Sequence, residues 1–237
     1  LFKRWFVNFE FPNEDGQPYK SSGGEMGESE LGMIPKGWKV KTLGELGKVI
    51  TGKTPPTKVI ENYGDEYNFI TPVDMKNESY VVSSQRKLSK VGYEKVKKLI
   101  IKENSIGVTC IGSNLGEVYI NSEKSFTNQQ INSLIPENEN CFSYLYIVLK
   151  NMKNDFLNIA GGSAVPIINK SSFSEIKIIV PDDNLLNNYC ERMNKIFERI
   201  KANLIQNNSL IELRDSLLPK LMSGEIRLDE IEARSEE

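Results

Sequence analysis

From Asp183 to Leu218 the chain contains neither glycine nor proline, the residues that most readily interrupt a helix. Within that stretch Met193, Phe197, Ile200, Leu204, Ile211 and Leu218 follow alternating steps of four and three, and Asn207 and Arg214 occupy the two polar slots of the series. At the α-helical rise about 35 residues span about 50 Å, longer than most compact domains accommodate, so the segment is expected to project as an arm. Asp182 or Asp183 is the expected N-cap, and Pro219 with Gly224 the expected end. A long helix with one apolar stripe calls for a second helix. Met193, Phe197, Ile200, Leu204, Asn207, Ile211 and Leu218 are its expected interface, with Asn207 holding the register. Packing back on the chain's own globular part is the alternative. Residues 183–224 are therefore read as one long helix and residues 225–237 as a charged, fraying tail.

The chain ahead of this helix has a different texture. The opening LFKRWFVNFEF is apolar and aromatic and begins with Leu1 rather than Met, which is read as the mark of a fragment or a processed chain. Pro12 to Leu31, with Asn13-Glu14-Asp15-Gly16 and Ser21-Ser22-Gly23-Gly24, reads as a polar linker without regular structure. Over residues 36–182 short β-like runs alternate with turn signals. The expected strands are Trp38 to Lys41, Asn68 to Ile70, Tyr80 to Val82, Ser105 to Thr109, Glu117 to Ile120, Ile131 to Ile135 and Ile176 to Ile179. Leu43 to Gly47, Lys90 to Leu99 and Phe142 to Asn158 are the expected short helices. The mixture predicts an α+β fold, a mixed-sheet globular domain followed by a long coiled-coil-forming helix.

Several function classes drop out on composition. The 237 residues include no histidine, which removes the commonest general base, the commonest zinc ligand and any Ser-His or Cys-His nucleophile pair. Cys110, Cys141 and Cys190 are too widely spaced for a CxxC motif and are read as small buried hydrophobes in a reducing cytoplasm. No apolar run reaches the roughly 18 residues of a membrane span, so no membrane partner is expected. The net charge of −2 hides an asymmetry. Residues 1–35 carry 3 Lys/Arg against 6 Asp/Glu, residues 36–181 carry 19 against 14, and residues 182–237 carry 8 against 12, giving −3, +5 and −4. A basic middle between acidic ends is compatible with a polyanion partner. Seven of its cations, Arg86, Lys87, Lys90, Lys95, Lys97, Lys98 and Lys102, share a stretch in which Leu88, Val91, Val96 and Leu99 would supply a buried side, as on a solvated helix face.

Gly47-Lys48-Val49-Ile50-Thr51-Gly52-Lys53-Thr54 satisfies the G-x-x-x-x-G-K-S/T pattern of nucleotide-binding loops. Its context argues against that role. A phosphate loop follows a buried strand and opens a helix whose N–H groups hold the phosphates. Here a short capped helix is expected just before, and Pro55-Pro56 just after removes N–H groups and restricts Thr54.

Eight segments in order carry a family likeness: LFKRWFVNFEF (1–11), IPKGWKVKTLGEL (34–46), TGKTPPT (51–57), NFITPVDM (68–75), GVTCIGSNLGEV (107–118), SFTNQQINSLIP (125–136), GGSAVPIINKSSFSEIKIIVP (161–181) and IELRDSLLPKLMSGEI (211–226). Together they resemble the DNA-specificity subunit of type I restriction-modification systems. The resemblance implies that residues 36–182 form a target-recognition domain and that residues 1–35 are the end of a preceding conserved region plus a linker. Intact members carry two such domains, each reading one half of a bipartite site, separated by long helices that pair antiparallel. It further implies a cytoplasmic subunit that catalyses nothing itself and holds no cofactor. Its partners would be double-stranded DNA, methyltransferase subunits that use S-adenosylmethionine, and a restriction/translocase subunit that uses ATP and Mg²⁺. A missing N-terminal half, or a second copy bound through the long helix, would complete it. The family match puts the DNA-contact candidates on loops: Lys53, Thr54, Lys58, Thr71, Ser113, Asn114, Thr127, Asn128, Gln129, Gln130, Ser163, Asn169 and Lys170. Gln129 and Gln130 have the chemistry to contact adenine bidentately, and Gly112, Gly161 and Gly162 to admit a close backbone approach. The competing reading is a coiled-coil adaptor whose globular part binds protein.

Overall fold

In the computed structural model, which describes residues 1–161 and 166–226, the elements run in the order β1 (Met26–Ser29), β2 (Gly32–Pro35), β3 (Lys39–Thr42), α1 (Leu43–Leu46), β4 (Gly47–Thr51), β5 (Tyr63–Gly64), β6 (Tyr67–Ile70), β7 (Tyr80–Val81), β8 (Lys87–Leu88), α2 (Lys90–Val96), β9 (Ile106–Thr109), β10 (Val118–Asn121), β11 (Phe126–Thr127), β12 (Ile131–Pro136), α3 (Phe142–Asn151), α4 (Lys153–Ile159), α5 (Lys170–Ser174), β13 (Lys177–Val180) and α6 (Asp183–Met222). A five-stranded sheet has the order β4-β12-β9-β10-β7, antiparallel except for the β10–β7 edge. A four-stranded sheet has the order β11-β6-β8-β5, with β11 and β6 parallel. Strands β13 and β3 form a separate antiparallel pair. This is the expected α+β architecture of mixed sheets with a long C-terminal helix.

The elements follow from local chemistry. Thr42 and Glu45 form a reciprocal capping box that opens α1, with Thr42 N–H donating to Glu45 Oε2 at 2.7 Å and Glu45 N–H to Thr42 Oγ1 at 3.3 Å. The Thr42 N–H, and after it the Thr42 hydroxyl, which also donates to Glu45 Oε2, hold the Glu45 carboxyl below its ordinary pKa. Asp182, not Asp183, caps α6, accepting from Leu185 N–H at 2.9 Å. The predicted Phe142–Asn158 helix divides at Met152 into α3 and α4.

The main core lies under the five-stranded sheet, where α3 and the first half of α6 cover it, and the opening segment closes it. Phe6, in a tight turn over Lys3–Val7, meets Trp38, Tyr144 and Tyr189 with ring centroids 5.9, 4.9 and 4.8 Å away. A smaller core joins Phe69, Leu88, Val96 and Phe126 beneath α2, flanked by the Tyr67–Tyr93 stack.

Four expectations are corrected. The linker is structured at its end: β1 and β2 form a hairpin whose turn depends on Gly32 at φ +94°, a conformation that costs glycine little. Val91 is half exposed and does not join the buried side of α2. The long helix runs through Pro219 and ends before Gly224, which adopts φ +73°.

The fourth correction concerns the heptad stripe, which divides between two environments. Leu186, Tyr189, Cys190 and Phe197 are buried and Met193, Ile200 and Leu204 pack partly against the main core, so the first half of α6 belongs to the globular domain. Lys201 then pairs with Glu103 at 2.6 Å, and Asn208 reaches Ser83 Oγ at 3.3 Å. Beyond that point Asn207, Ile211, Leu213 and Leu218 are exposed. Only the distal half of the helix is an arm.

Candidate nucleic-acid interface

Strands β4, β12 and β9 are neighbours of alternating direction, so the ends of β4 and β9 and the start of β12 lie side by side at one edge. The loops that leave this edge carry the predicted contacts. After β4, Gly52 N–H donates to Ile131 O at 3.2 Å and Lys53 N–H to Thr127 O at 3.0 Å, continuing the ladder past the strand. Pro55 and Pro56 follow, and two buried-side groups hold their carbonyls: Tyr63 Oη–H to Pro55 O at 2.8 Å and Asn62 Nδ2 to Pro56 O at 2.9 Å. The Gly52–Lys58 loop is thereby pinned at both ends. It opens no helix, and five of the eight residues of the apparent phosphate-loop pattern are strand β4, so the structure agrees with rejecting that pattern.

The neighbouring loops are tied to this one in series. Asn128 N–H donates to Ile70 O at 3.2 Å, which brings the Thr71 turn alongside. Cys110 N–H donates to Gln130 O at 2.7 Å and Ile168 N–H to Cys110 O at 2.9 Å, while Ile111 and Ile167 form a bridge. Asn132, buried in β12, accepts from Thr51 Oγ1 at 2.5 Å and donates to Ile168 O at 3.1 Å. Five loops from distant parts of the sequence thus share one surface.

The candidates occupy that surface unequally. Lys53, Lys58, Ser113, Asn114, Gln129, Asn169 and Lys170 are exposed, and Thr54, Thr71 and Gln130 are half-buried. Thr127 and Asn128 are buried, at 1% and 8% exposure, and shape the loop from behind. Thr71 is engaged by Asp74, whose carboxylate accepts from Thr71 N–H at 2.8 Å, Thr71 Oγ1 at 2.9 Å and Gln85 N–H at 2.8 Å. Asn169 caps α5 by accepting from Ser172 N–H at 2.9 Å, leaving its amide nitrogen outside that bond. Ser163 and Gly162 lie outside the described residues.

Two groups of contributors were not singled out in the sequence. Arg86 lies over the Tyr63 ring at 4.5 Å, against the same tyrosine that holds Pro55, so it flanks the di-proline loop. Its only sequence signal is membership of the cation stretch. Asn62, Asp74 and Asn132 are the buried polar anchors of the loops; Asp74 and Asn132 fall within the segments 68–75 and 125–136, whereas nothing in the neighbourhood of Asn62 marks it.

The site offers amides, hydroxyls and cations on rigid loops. Among the described residues no group of three or more Cys, Asp or Glu side chains could hold a metal ion. Burial pushes the Cys110 thiol up to about 12, so it supplies no thiolate at neutral pH. No described helix is long and apolar enough to cross a membrane.

The chain is similar in sequence and fold to known proteins. Residues 35–213 match the family model described as the type I restriction modification DNA specificity domain. The HindI type I restriction enzyme specificity subunit of Haemophilus influenzae is 41% identical over 196 residues, covering 81% of this chain and 42% of that protein. The MjaIX specificity subunit of Methanocaldococcus jannaschii is 30% identical over 206 residues, covering 77% of this chain and 46% of that protein. The crystal structure of the type I restriction-modification S subunit from M. genitalium is similar in fold, with a TM-score of 0.52 at 21% identity over 78% of this chain and 46% of that one. The chain spans less than half the length of these relatives. The matches give no support to the coiled-coil adaptor reading.

Proposed function

The chain belongs to the type I restriction modification DNA specificity family, and from that premise we propose that its globular part reads one half of a bipartite duplex site. The observation that carries the proposal is the convergence of five loops, with Lys53, Lys58, Asn114, Gln129 and Lys170 exposed on one surface. Base reading requires amides and hydroxyls that reach groove edges, and positioning requires cations on phosphates. Loops held by the bonds around Pro55, Pro56, Cys110 and Ile168 present those groups with little ordering left to be done on binding.

In this reading the chain is a non-catalytic cytoplasmic subunit. It holds no cofactor itself and positions methyltransferase subunits that bring S-adenosylmethionine, together with a restriction/translocase subunit that brings ATP and Mg²⁺. The distal half of α6, with Asn207, Ile211 and Leu218 exposed, pairs with a helix from the remaining half of the subunit or from a second copy.

The test is selection from a random duplex library with the methyltransferase subunits present. A reproducible motif, with binding that weakens steeply as salt rises, is the expected result. Enrichment of no motif would remove the proposal.

A further inference from the structure

The hydrogen-bond polarity of Gln130 is set from inside the protein. The backbone N–H of Gln130 donates to Asn128 Oδ1 at 3.1 Å. A backbone N–H can only donate, so it fixes which end of the Asn128 amide faces it. The Asn128 nitrogen is then turned to Gln130, and it donates to Gln130 Oε1 at 2.8 Å. Gln129 is held by a separate bond, its Oε1 accepting from Thr54 Oγ1 at 2.7 Å. The Gln130 carbonyl is therefore turned inward, and among the described residues its Nε2 has no acceptor. The Thr54 hydroxyl can donate or accept, so it holds Gln129 without fixing which end of that amide faces outward.

A glutamine contacts adenine bidentately by accepting from N6 and donating to N7, which takes both ends of the amide. The Gln130 oxygen keeps one lone pair, but it is turned to the buried Asn128 amide, so the end of the side chain left to face a base is the Nε2 donor. Guanine presents two neighbouring acceptors in the major groove, N7 and O6, and thymine presents O4. Resting on the reading of this surface as a DNA interface, we propose that Gln130 presents its Nε2 donor end and reads an acceptor edge of guanine or thymine, with Asn128 as the residue that sets this polarity. For Gln130 this replaces the expectation of a bidentate adenine contact. It also gives Asn128, too buried to reach a base itself, a positioning role in specificity.

The test compares motifs selected from a random duplex library by the full subunit with its methyltransferase partners. The wild-type motif should contain a position restricted to guanine or thymine. Gln130→Glu keeps an oxygen for the Asn128 amide and turns the free end from donor to acceptor. Asn128→Asp still accepts from the Gln130 N–H but repels Gln130 Oε1, which reverses the Gln130 amide. Both variants should lose about tenfold or more in preference at the same position and shift it towards adenine or cytosine, whose amino groups donate in the major groove, leaving the rest of the motif intact. Thermal melts of each variant guard against misfolding, and equal loss at every position would assign Asn128 to folding alone and defeat the proposal. An unaltered motif in both Gln130→Glu and Asn128→Asp would overturn the polarity argument while leaving DNA reading in place. A wild-type subunit that selects no motif would overturn both.

Discussion

Gly52 lies so close to Thr127 that a methyl group on it would stand 2.2 Å from Thr127 Oγ1 and 2.3 Å from the carbonyl oxygens of Thr127 and Asn128. The glycine that completes a nucleotide-loop pattern is thus required by a joint between strands β4 and β11. Gly52→Ala must displace backbone, and by analogy with overpacked cores it should cost about 1–3 kcal/mol. Thr127→Ala in the same chain should not restore the loss, because the two carbonyls remain. Urea denaturation of the single and double variants measures both.

Lys53 and Lys58 sit at the two ends of the pinned loop and are exposed. If they contact phosphates, Lys53→Ala and Lys58→Ala should weaken binding similarly for all sequences and each lower the slope of log K against log salt by about 1. Fluorescence titration at several salt concentrations gives that slope. An unchanged slope would place the lysine off the DNA path.

Phe197 is buried against the rings of Tyr80, Phe142 and Tyr146, at centroid distances of 6.4, 6.1 and 5.4 Å, whereas Ile211 and Leu218 are exposed. Phe197→Ala should therefore cost about 3–5 kcal/mol in unfolding free energy. Ile211→Ser with Leu218→Ser should leave that free energy nearly unchanged and reduce association through the arm. Denaturation and sedimentation read the two effects independently.

Burial raises the Cys110 thiol from 9.0 to about 12. A group whose folded pKa lies above its unfolded value contributes stability that is fully present below the unfolded pKa and is lost as pH rises through the folded one. Burial also raises the hydroxyls of Tyr119 and Tyr144, so wild-type stability should fall above pH 9 for several groups together. Cys110→Ala should make that fall shallower by at most about 1.4 kcal/mol per pH unit. Denaturation curves collected between neutral and alkaline pH compare the slopes.

The parts legible in the sequence were those encoded by neighbours. The seven expected strands form because their β-branched and aromatic runs are bounded by turn residues, and α6 forms because its apolar periodicity meets no breaker before Pro219. Strands β5, β8 and β11, of two residues each, and the five-residue β4, which carries the apparent phosphate-loop pattern, were not among the expected strands. The β1–β2 hairpin was hidden by its polar, glycine-rich composition, since it pairs through backbone bonds that need little apolar surface.

By itself the sequence determined the α+β class, the capped long helix, the absence of histidine chemistry and the family's order of segments. Tertiary structure decided which half of the heptad stripe faces the domain, because Phe197 meets Tyr80, Phe142 and Tyr146 only once the sheet is assembled. It also decided that loops as distant as Lys53, Asn114, Gln129 and Asn169 share a surface, and which end of the Gln130 amide faces outward. Those outcomes depend on hydrogen bonds between residues as far apart as Thr54 and Gln129. Such bonds are directional and have no period along the chain, so they exist only when the strands have brought their ends together.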